Sequence, residues 1–338
     1  MHLTTPDLGK DVRKLSEEVN CLIEPIPHTA PQERALPAPT LKPVRKKKIW
    51  TPALLGGVLW RGFTHVKTHR EVLRMILKCP PLTEFVFSHP SFAVKYLMRD
   101  YLARGFTVAE HASCFLYHYR RVYAVLPDHL FRQTLLEDFT IHEIFEDVHR
   151  FTLTMGLSRP YDEEGELSLN LCVDGEIVFI LAFTIVPGSV VQSPAQEVLL
   201  VTRLQGVKGA YAQIAAATKA MHDVAPGALL LAALQGLGDT FGINEIVAVS
   251  AVRQSSYSEG GAAVFKEAYD DFFTELGMTN QATGYYSTSI PLQGKPLACI
   301  KHGHKLRTRE KRAFKQLIQS ICADFFRNSA PAVSYKLS

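Results

Sequence analysis

Glu197-Val-Leu-Leu-Val-Thr-Arg-Leu-Gln205 runs directly into Gly206-Val-Lys-Gly209. The first part is an apolar run of strand length, and the glycines after it permit a tight change of direction. Ala210–Val224 then reads as an Ala-rich helix, and Pro226-Gly227 punctuates it. Ala228–Phe241 is a second, apolar helix stopped by Gly242, and Glu245–Ala251 is the next apolar strand. Strand, glycine loop and helix together can offer free backbone N–H groups to an anion. A phosphate-bearing ligand held by Arg203, Gln205, Gly206, Lys208, Gly209 and Ala210 is therefore the first expectation. The other reading is a plain strand-to-helix turn, in which the glycines supply only backbone freedom.

Just upstream, Gly165-Glu-Leu-Ser-Leu-Asn-Leu-Cys-Val173 alternates strictly. It places Leu167, Leu169, Leu171 and Val173 on one face, which predicts a half-buried strand. Asp174-Gly175 is a two-residue hairpin signal, with Glu176–Val186 as the returning strand. Downstream, Phe265–Leu276 reads as a helix ended by Gly277. Gly284–Ile290 and Pro296–Lys301 read as strands, and Thr308–Phe326 as a closing helix with Thr308 as N-cap. Residues 49–160 look helical, in segments Glu71–Cys79, Ser91–Leu102, Thr107–Leu126, Leu130–Leu136 and Ile141–Phe151. Thr107 and Glu110 have capping-box spacing. Residues 1–48 are rich in Pro and charge, with one short helix at Asp11–Cys21, and end in Arg45-Lys-Lys-Lys48.

The expected organisation is thus a tail (1–48), a helical region (49–160), a mixed α/β domain (161–328) and a short C-terminal tail (329–338). The fold class is α+β, a mixed and mostly antiparallel sheet with flanking helices.

The bulk composition narrows the function classes. The chain has 338 residues, 47% hydrophobic and 21% charged, which is ordinary globular composition. A net charge of +4 does not by itself call for nucleic acid. The six cysteines are scattered, with no CxxC and no pairing with clustered histidines, so neither zinc nor a disulfide framework is expected. The N-terminus lacks a charged-then-apolar leader, and Ile177–Val186 is too short to span a bilayer, so a cytoplasmic protein is expected. There is no Gly-x-Ser-x-Gly, Walker loop, HExxH or dinucleotide fingerprint.

Other residues carry candidate chemistry. Lys219 and His222 share a helix face, and with Asp223 they could form a polar cluster in which His222 acts as base. Glu166 lies out of phase with the leucines of its strand, where a carboxylate beside a cleft could activate an amine. A solvated helix end and a solvated sheet face are the plainer readings of the two. Tyr269, Phe273, Tyr285 and Tyr286 read as packing residues. Lys301, Lys305, Arg307, Arg309, Lys311, Arg312 and Lys315 form the densest basic run, with His302 and His304 beside it. Lys305, Arg307, Arg309 and Arg312 would hold an acidic partner such as tRNA, DNA or an anionic lipid surface.

Several motifs in fixed order resemble the VirK/YbjX family. They are His118-Tyr119, Glu164-Gly-Glu-Leu-Ser-Leu169, Leu204-Gln-Gly206, Thr218-Lys-Ala-Met-His222, Pro226–Ile243, Tyr269-Asp-Asp-Phe-Phe-Thr-Glu-Leu-Gly277 and the basic C-terminal helix. The likeness covers roughly residues 80–325. It implies a bacterial stress-response role, in tolerance of DNA damage or antimicrobial peptides, and no particular reaction. The order of elements is also similar to the acetyltransferase (GNAT) fold. That likeness implies an acyl- or aminoacyl-transfer activity, with a coenzyme A thioester or aminoacyl-tRNA as donor at Arg203–Ala210. Departures accompany it. Lys208 occupies the place of a loop glycine in that fold's Gln/Arg-x-x-Gly-x-Gly/Ala pattern, and Phe273 stands where a tyrosine sometimes serves as general acid.

Overall fold

Helices come first. A computed structural model describes residues 52–329 apart from 147, 159–161, 282 and 295, with side chains from Leu55 onward. The N-terminal tail, its Asp11–Cys21 helix and the last residues of the C-terminal tail lie outside the described residues. The helical stretch comprises α1 (Pro52–Thr64), α2 (Val66–Lys78), α3 (Pro80–Ser88), a 3-10 segment at Pro90–Leu97, α4 (Val108–Val125) and α5 (Asp128–Leu136). α2 stops at Cys79, which is extended ahead of Pro80. The capping box of α4 is complete. The Glu110 N–H donates to Thr107 Oγ1 at 3.2 Å, and the Thr107 N–H donates to Glu110 Oε2 at 2.7 Å.

An eight-stranded sheet follows, in the order β1-β2-β3-β4-β5-β6-β8-β7. Its strands are β1 (Phe139–Glu146), β2 (His149–Leu157), β3 (Leu167–Val173), β4 (Glu176–Pro187), β5 (Glu197–Gly206), β6 (Glu245–Val249), β7 (Thr279–Gln281) and β8 (Tyr285–Ser289). The expected α+β class stands: N-terminal helices, then a mostly antiparallel sheet with flanking helices. Only β5 and β6 run parallel. They are joined through α6 (Tyr211–Ala220) and α7 (Pro226–Phe241), as a parallel crossover requires. A further helix, α8, is built from Ala262–Phe265, a π-turn at Lys266–Asp271 and Phe272–Glu275. α9 (Lys305–Ser329) closes the chain.

The two sheet faces can be told apart by parity. Phe139, Met155, Leu169 and Leu181 stand opposite one another across β1 to β4. Phe139 meets Phe325 and Phe326 of α9, so this is the face that α9 covers. Residues of the other parity point away from it. Asn170 donates to Asp138 at the end of α5 (2.8 Å), and the Tyr119 hydroxyl of α4 reaches Glu166. The sheet is therefore covered on both sides, and every residue of β3 is buried.

That corrects the half-buried reading of β3. The alternation is real, but the polar parity lies under α4 and α5 instead of under water. Other elements differ as well. Ile141–Phe151 belongs to a β-hairpin, not to a helix. So short a run carries either period, and pairing of β1 with β2 and of β2 with β3 decides it. In place of the α-helix expected at Ser91–Leu102, a 3-10 segment runs only to Leu97 and the chain continues in turns and bends. Pro296–Lys301 holds a single 3-10 turn at Leu297–Cys299, and β7 takes the edge position beside β8. Thr308 sits inside α9 with its hydroxyl donating to His304 O (2.8 Å), so it is not the N-cap.

α7 and α9 touch at backbone distance. A Cβ on Gly236 would lie 2.2 Å from the Gln319 carbonyl oxygen and 3.0 Å from Cys322 Cβ. Gly236→Ala should therefore destabilise the protein, although Ala is the better helix former by about 1 kcal/mol. Overpacking of about 1–3 kcal/mol outweighs that gain. The urea midpoint should fall for Gly236→Ala and stay level or rise for Gly56→Ala, whose added methyl meets nothing within 4 Å.

Candidate functional site

The most concentrated chemistry lies beneath α4. Glu166 directly precedes β3 and has no solvent exposure. Its N–H is held at the sheet by Thr184 Oγ1 (3.1 Å), and its carbonyl accepts from the Ser158 N–H (3.2 Å). The carboxylate forms an ion pair with Lys95 of the 3-10 segment and accepts from the hydroxyls of Tyr101 and Tyr119. The Lys95 ammonium also lies 4.3 Å from the centre of the Phe92 ring, a cation–π contact in a dry setting. Burial, then the charge of Glu166, holds the Tyr101 hydroxyl far above its ordinary pKa, so it remains a donor. His118, one residue before Tyr119, is wholly buried. Its Nδ1 accepts from the Ile185 N–H (3.0 Å), which fixes the neutral tautomer with its proton on Nε2. Burial, then Lys95, pushes its pKa well below the usual value.

A second cluster occupies the line where β5 and β6 part. Their parallel pairing covers only Leu199–Val201 opposite Ile246–Ala248. β5 continues beside β4 as far as Gly206, with an irregularity that leaves Thr202 as the extra residue. Arg203 therefore stands where β6 no longer follows. Its guanidinium lies 3.4 Å from Glu164 Oε2, and both side chains are nearly enclosed. With the Gln205 carbonyl oxygen turned inward, Arg203 Nε and Nη2 also donate to it at 2.9 and 2.6 Å. Ser255 donates to the other Glu164 oxygen at 3.0 Å, and Thr202 Oγ1 donates to the Glu164 carbonyl. Tyr269 of the π-turn is buried nearby. Its hydroxyl is held protonated by burial and then by the Glu164 charge.

The glycine loop divides into a filled half and an open half. A Cβ on Gly206 would lie 2.9 Å from Ile214 and 3.5 Å from Phe179, so side chains close that side. The Val207 N–H donates to Val178 O and the Ala210 N–H to Val207 O, which commits two loop amides to the fold. Lys208 and Gly209 are exposed, and Gly209 has a positive φ of 89° with open space where a Cβ would be. Ala210 is buried at the start of α6 and gives it no side-chain cap.

His222 is exposed, in a left-handed conformation, with its ring 4.9 Å from that of Phe314 on α9. Asp223 beside it pairs with Arg307 Nη2 at 2.8 Å, so that cation is not free. Lys305, Arg309 and Arg312 lie on the same helix, and the Arg312 guanidinium lies close against Gly294. The Lys315 ammonium is held below its usual pKa by burial, then by Arg312 and Lys311. The structure thus joins Glu164, which the sequence kept apart, to Arg203 and Gln205 of the expected phosphate set. Glu166 and His222 each belong to a different local cluster.

Lys95, Tyr101 and Ser255 lay in no recognised motif, and His118 stood only in the His118-Tyr119 pair of the family resemblance, with no role attached. The available signal was the lone cation inside Phe92-Ala-Val-Lys-Tyr-Leu-Met98, where an apolar run demands a buried partner. Removing that partner should be costly. Lys95→Met or Glu166→Gln alone should lower stability by about 3–5 kcal/mol, because each leaves a buried group uncompensated. The double variant should lose much less than the sum, which a double-mutant cycle in urea would read.

Two buried histidines give the protein an acid-side dependence. Burial pushes His111 down to about 4 and His118 well below its usual range. Both are neutral in the fold, while the unfolded chain takes up protons below about pH 6.5. Their contribution is complete above that pH and is lost as pH falls, down to about 4 for His111. The slope should reach about 1.4 kcal/mol per pH unit for each histidine. Urea midpoints between pH 7 and 5 should fall, and His111→Phe should flatten part of that fall.

A family model described as a protein of unknown function (DUF535) matches residues 58–318. Searches of curated proteins and of solved structures returned no significant match.

Proposed function

We propose, for a chain that belongs to the DUF535 family (the VirK/YbjX family), an acyl- or aminoacyl-transferase-like activity with a phosphate-bearing donor at the end of β5. The observation that carries this reading is the parting of β5 from β6 after Val201, at the extra residue Thr202. The strand order supports it. Antiparallel strands lead to one parallel crossover, and the last hairpin inserts β8 between β6 and β7. This order resembles that of an acetyltransferase-type sheet with one strand added at its first edge, and the resemblance supports the reading.

In this reading the donor phosphate meets Lys208 and the exposed amide of Gly209, since Gly206 is closed off. Arg203 and Gln205 set the end of β5 from within, and buried Ala210 starts the following helix. The amine acceptor lies at the rim beside Lys208, since Arg203, Glu164 and Tyr269 fill the strand gap. Proton acceptance falls to His222 or Glu166. His222 is open to solvent, whereas Glu166 is enclosed and serves to position the Glu163–Glu164 segment. Rate enhancement comes mainly from proximity and orientation. The physiological setting is tolerance of DNA damage or antimicrobial peptides, in the cytoplasm. Among the described residues no helix is long and apolar enough to cross a membrane.

A second reading rests on α9. The depressed Lys315 ammonium beside Lys311 and Arg312 marks a face with more cations than carboxylates, suited to tRNA, DNA or anionic lipid without chemistry.

Thermal unfolding with coenzyme A, acetyl-coenzyme A and aminoacyl-tRNA separates the two. A donor at a hundred times its dissociation constant should add about 2.7 kcal/mol of stability. Lys208→Glu should abolish that gain. No gain with any donor, with a salt-sensitive gain from nucleic acid that Arg309→Gln and Arg312→Gln remove, would leave the binding module.

A further inference from the structure

Among the described residues, α1 turns its apolar side outward. Val58 is buried, but Leu55, Leu59, Trp60 and Phe63 are 47, 64, 68 and 79% exposed. At 100° per residue, Leu55, Leu59 and Phe63 form one stripe with Trp60 beside it. The only charge in the helix, Arg61, faces inward, with Nη1 donating to the Leu97 carbonyl at 2.6 Å. A soluble helix places its charges outward and its leucines inward, and α1 does the reverse. Two glycines, Gly56 and Gly57, sit among these residues, and a Cβ on either would meet nothing within 4 Å among the described residues.

α2 follows with an exposed apolar side of its own. Val72, Met75 and Ile76 are buried. On the outward side Val66, Leu73 and Leu77 make a second apolar stripe, 53, 38 and 70% exposed. Lys67, Arg70, Arg74 and Lys78 are exposed and fall within a narrow arc beside it. Glu71 is the sole acidic residue of α2. Immediately before α1 the sequence reads Arg45-Lys-Lys-Lys48-Ile49-Trp50. Exposed apolar stripes, two tryptophans and a surplus of long cations therefore occur in one short stretch of chain.

We propose that α1 and α2 form a membrane-interface anchor that binds the surface of an anionic bilayer without crossing it. The chemistry selects lipid over a protein partner. A protein groove would cover the leucines but would need a matching row of carboxylates for four lysines and arginines. An anionic leaflet supplies both at once. Leu55, Leu59 and Phe63 enter the boundary between head groups and acyl chains, and Trp60 sits at head-group depth. Lys67, Arg70, Arg74 and Lys78 extend their stems along the apolar stripe and place their charges among the phosphates. α1 is 13 residues long, enough to lie in the interface and too short to span it. This surface is separate from the β5–α6 loop and from α9, so it stands whether or not the transferase reading does.

The test is sedimentation of the full chain with neutral phosphatidylcholine vesicles and with vesicles containing about one third phosphatidylglycerol. The wild type should sediment with the anionic vesicles and not with the neutral ones, and the tryptophan emission should shift to the blue. Replacing Leu59, Trp60 and Phe63 by Ser should weaken binding about tenfold or more while leaving the melting curve unchanged, since these side chains are exposed. Lys67→Gln, Arg70→Gln and Arg74→Gln together should weaken binding and reduce its salt dependence. Arg309→Gln and Arg312→Gln on α9 should leave it intact. Three results would overturn the assignment: no binding to anionic vesicles, binding indifferent to the serine variant, or loss of binding only with the α9 variant. A change from oligomer to monomer in the serine variant, seen by light scattering and without vesicle binding in either form, would assign the face to self-association instead.

Discussion

The Glu166 carboxylate is the constraint from which the rest of the arrangement follows. Placed just ahead of β3, it draws together a cation from the 3-10 segment and the hydroxyls of Tyr101 and of Tyr119 on α4. Enclosing a carboxylate and an ammonium together costs several kcal/mol per ion, and the two hydroxyl bonds are what make the enclosed pair tolerable. The register in which the helical layer docks on the sheet is one that satisfies all of these members at once. That register carries neighbours with it. The Leu102 N–H donates to Glu163 O at 2.7 Å, which leads the chain past the sheet and delivers Glu164 to Arg203. The gap between β5 and β6 is thus furnished by a segment whose position is set on the other side of Glu166.

Arg104 and Arg253 complete the connection from the same helical layer. The Arg104 N–H donates to Arg253 O at 2.8 Å, and Arg253 Nη1 returns a bond to Arg104 O at 3.2 Å. Arg253 also donates to Thr283 O and lies over the Tyr285 ring, 4.5 Å from its centre. The loop after β6 and the hairpin of β7 and β8 are therefore fastened to residues that precede α4. Both banks of the gap refer back to one helical scaffold, so its width depends on packing far away in sequence.

Local signals made much of the fold legible. The Thr107–Glu110 box, the positive φ angles of Asp174 and Gly175, and Gly242 after α7 each do what their residue types dictate. Failures arose where a decision is made by distant partners. Phe139–Leu157 became strands because β3 offered a pairing edge. Ser168 and Asn170 were buried because α4 and α5 cover them, and no period within the strand encodes that cover. The same holds for the site. Arg203 and Gln205 were visible as polar residues at a strand end, but their link to Glu164 spans nearly forty positions and needs the bulge at Thr202. Lys95 was legible only as an anomaly, a charge within an apolar run.

How the gap is filled bears on how a donor would be held. In a sheet whose parallel strands part and leave a trough, a long ligand threads between them and borrows their backbone groups. Here Arg203, Glu164 and Tyr269 occupy that space and are all but closed to water. Phe179 and Ile214 close the side next to Gly206. Displacing the Glu164–Arg203 pair to admit a ligand would strand a buried charge, at a cost no neutral pantetheine-like arm could offset. What remains accessible is the rim, Lys208 and Gly209, with a cation and a free backbone turn. A donor that binds there is gripped by its phosphates and projects its reactive end past the closed gap. Within the transferase reading, that geometry favours a donor with a large anionic body of its own, as in an aminoacyl-tRNA, over a slender thioester that relies on the trough.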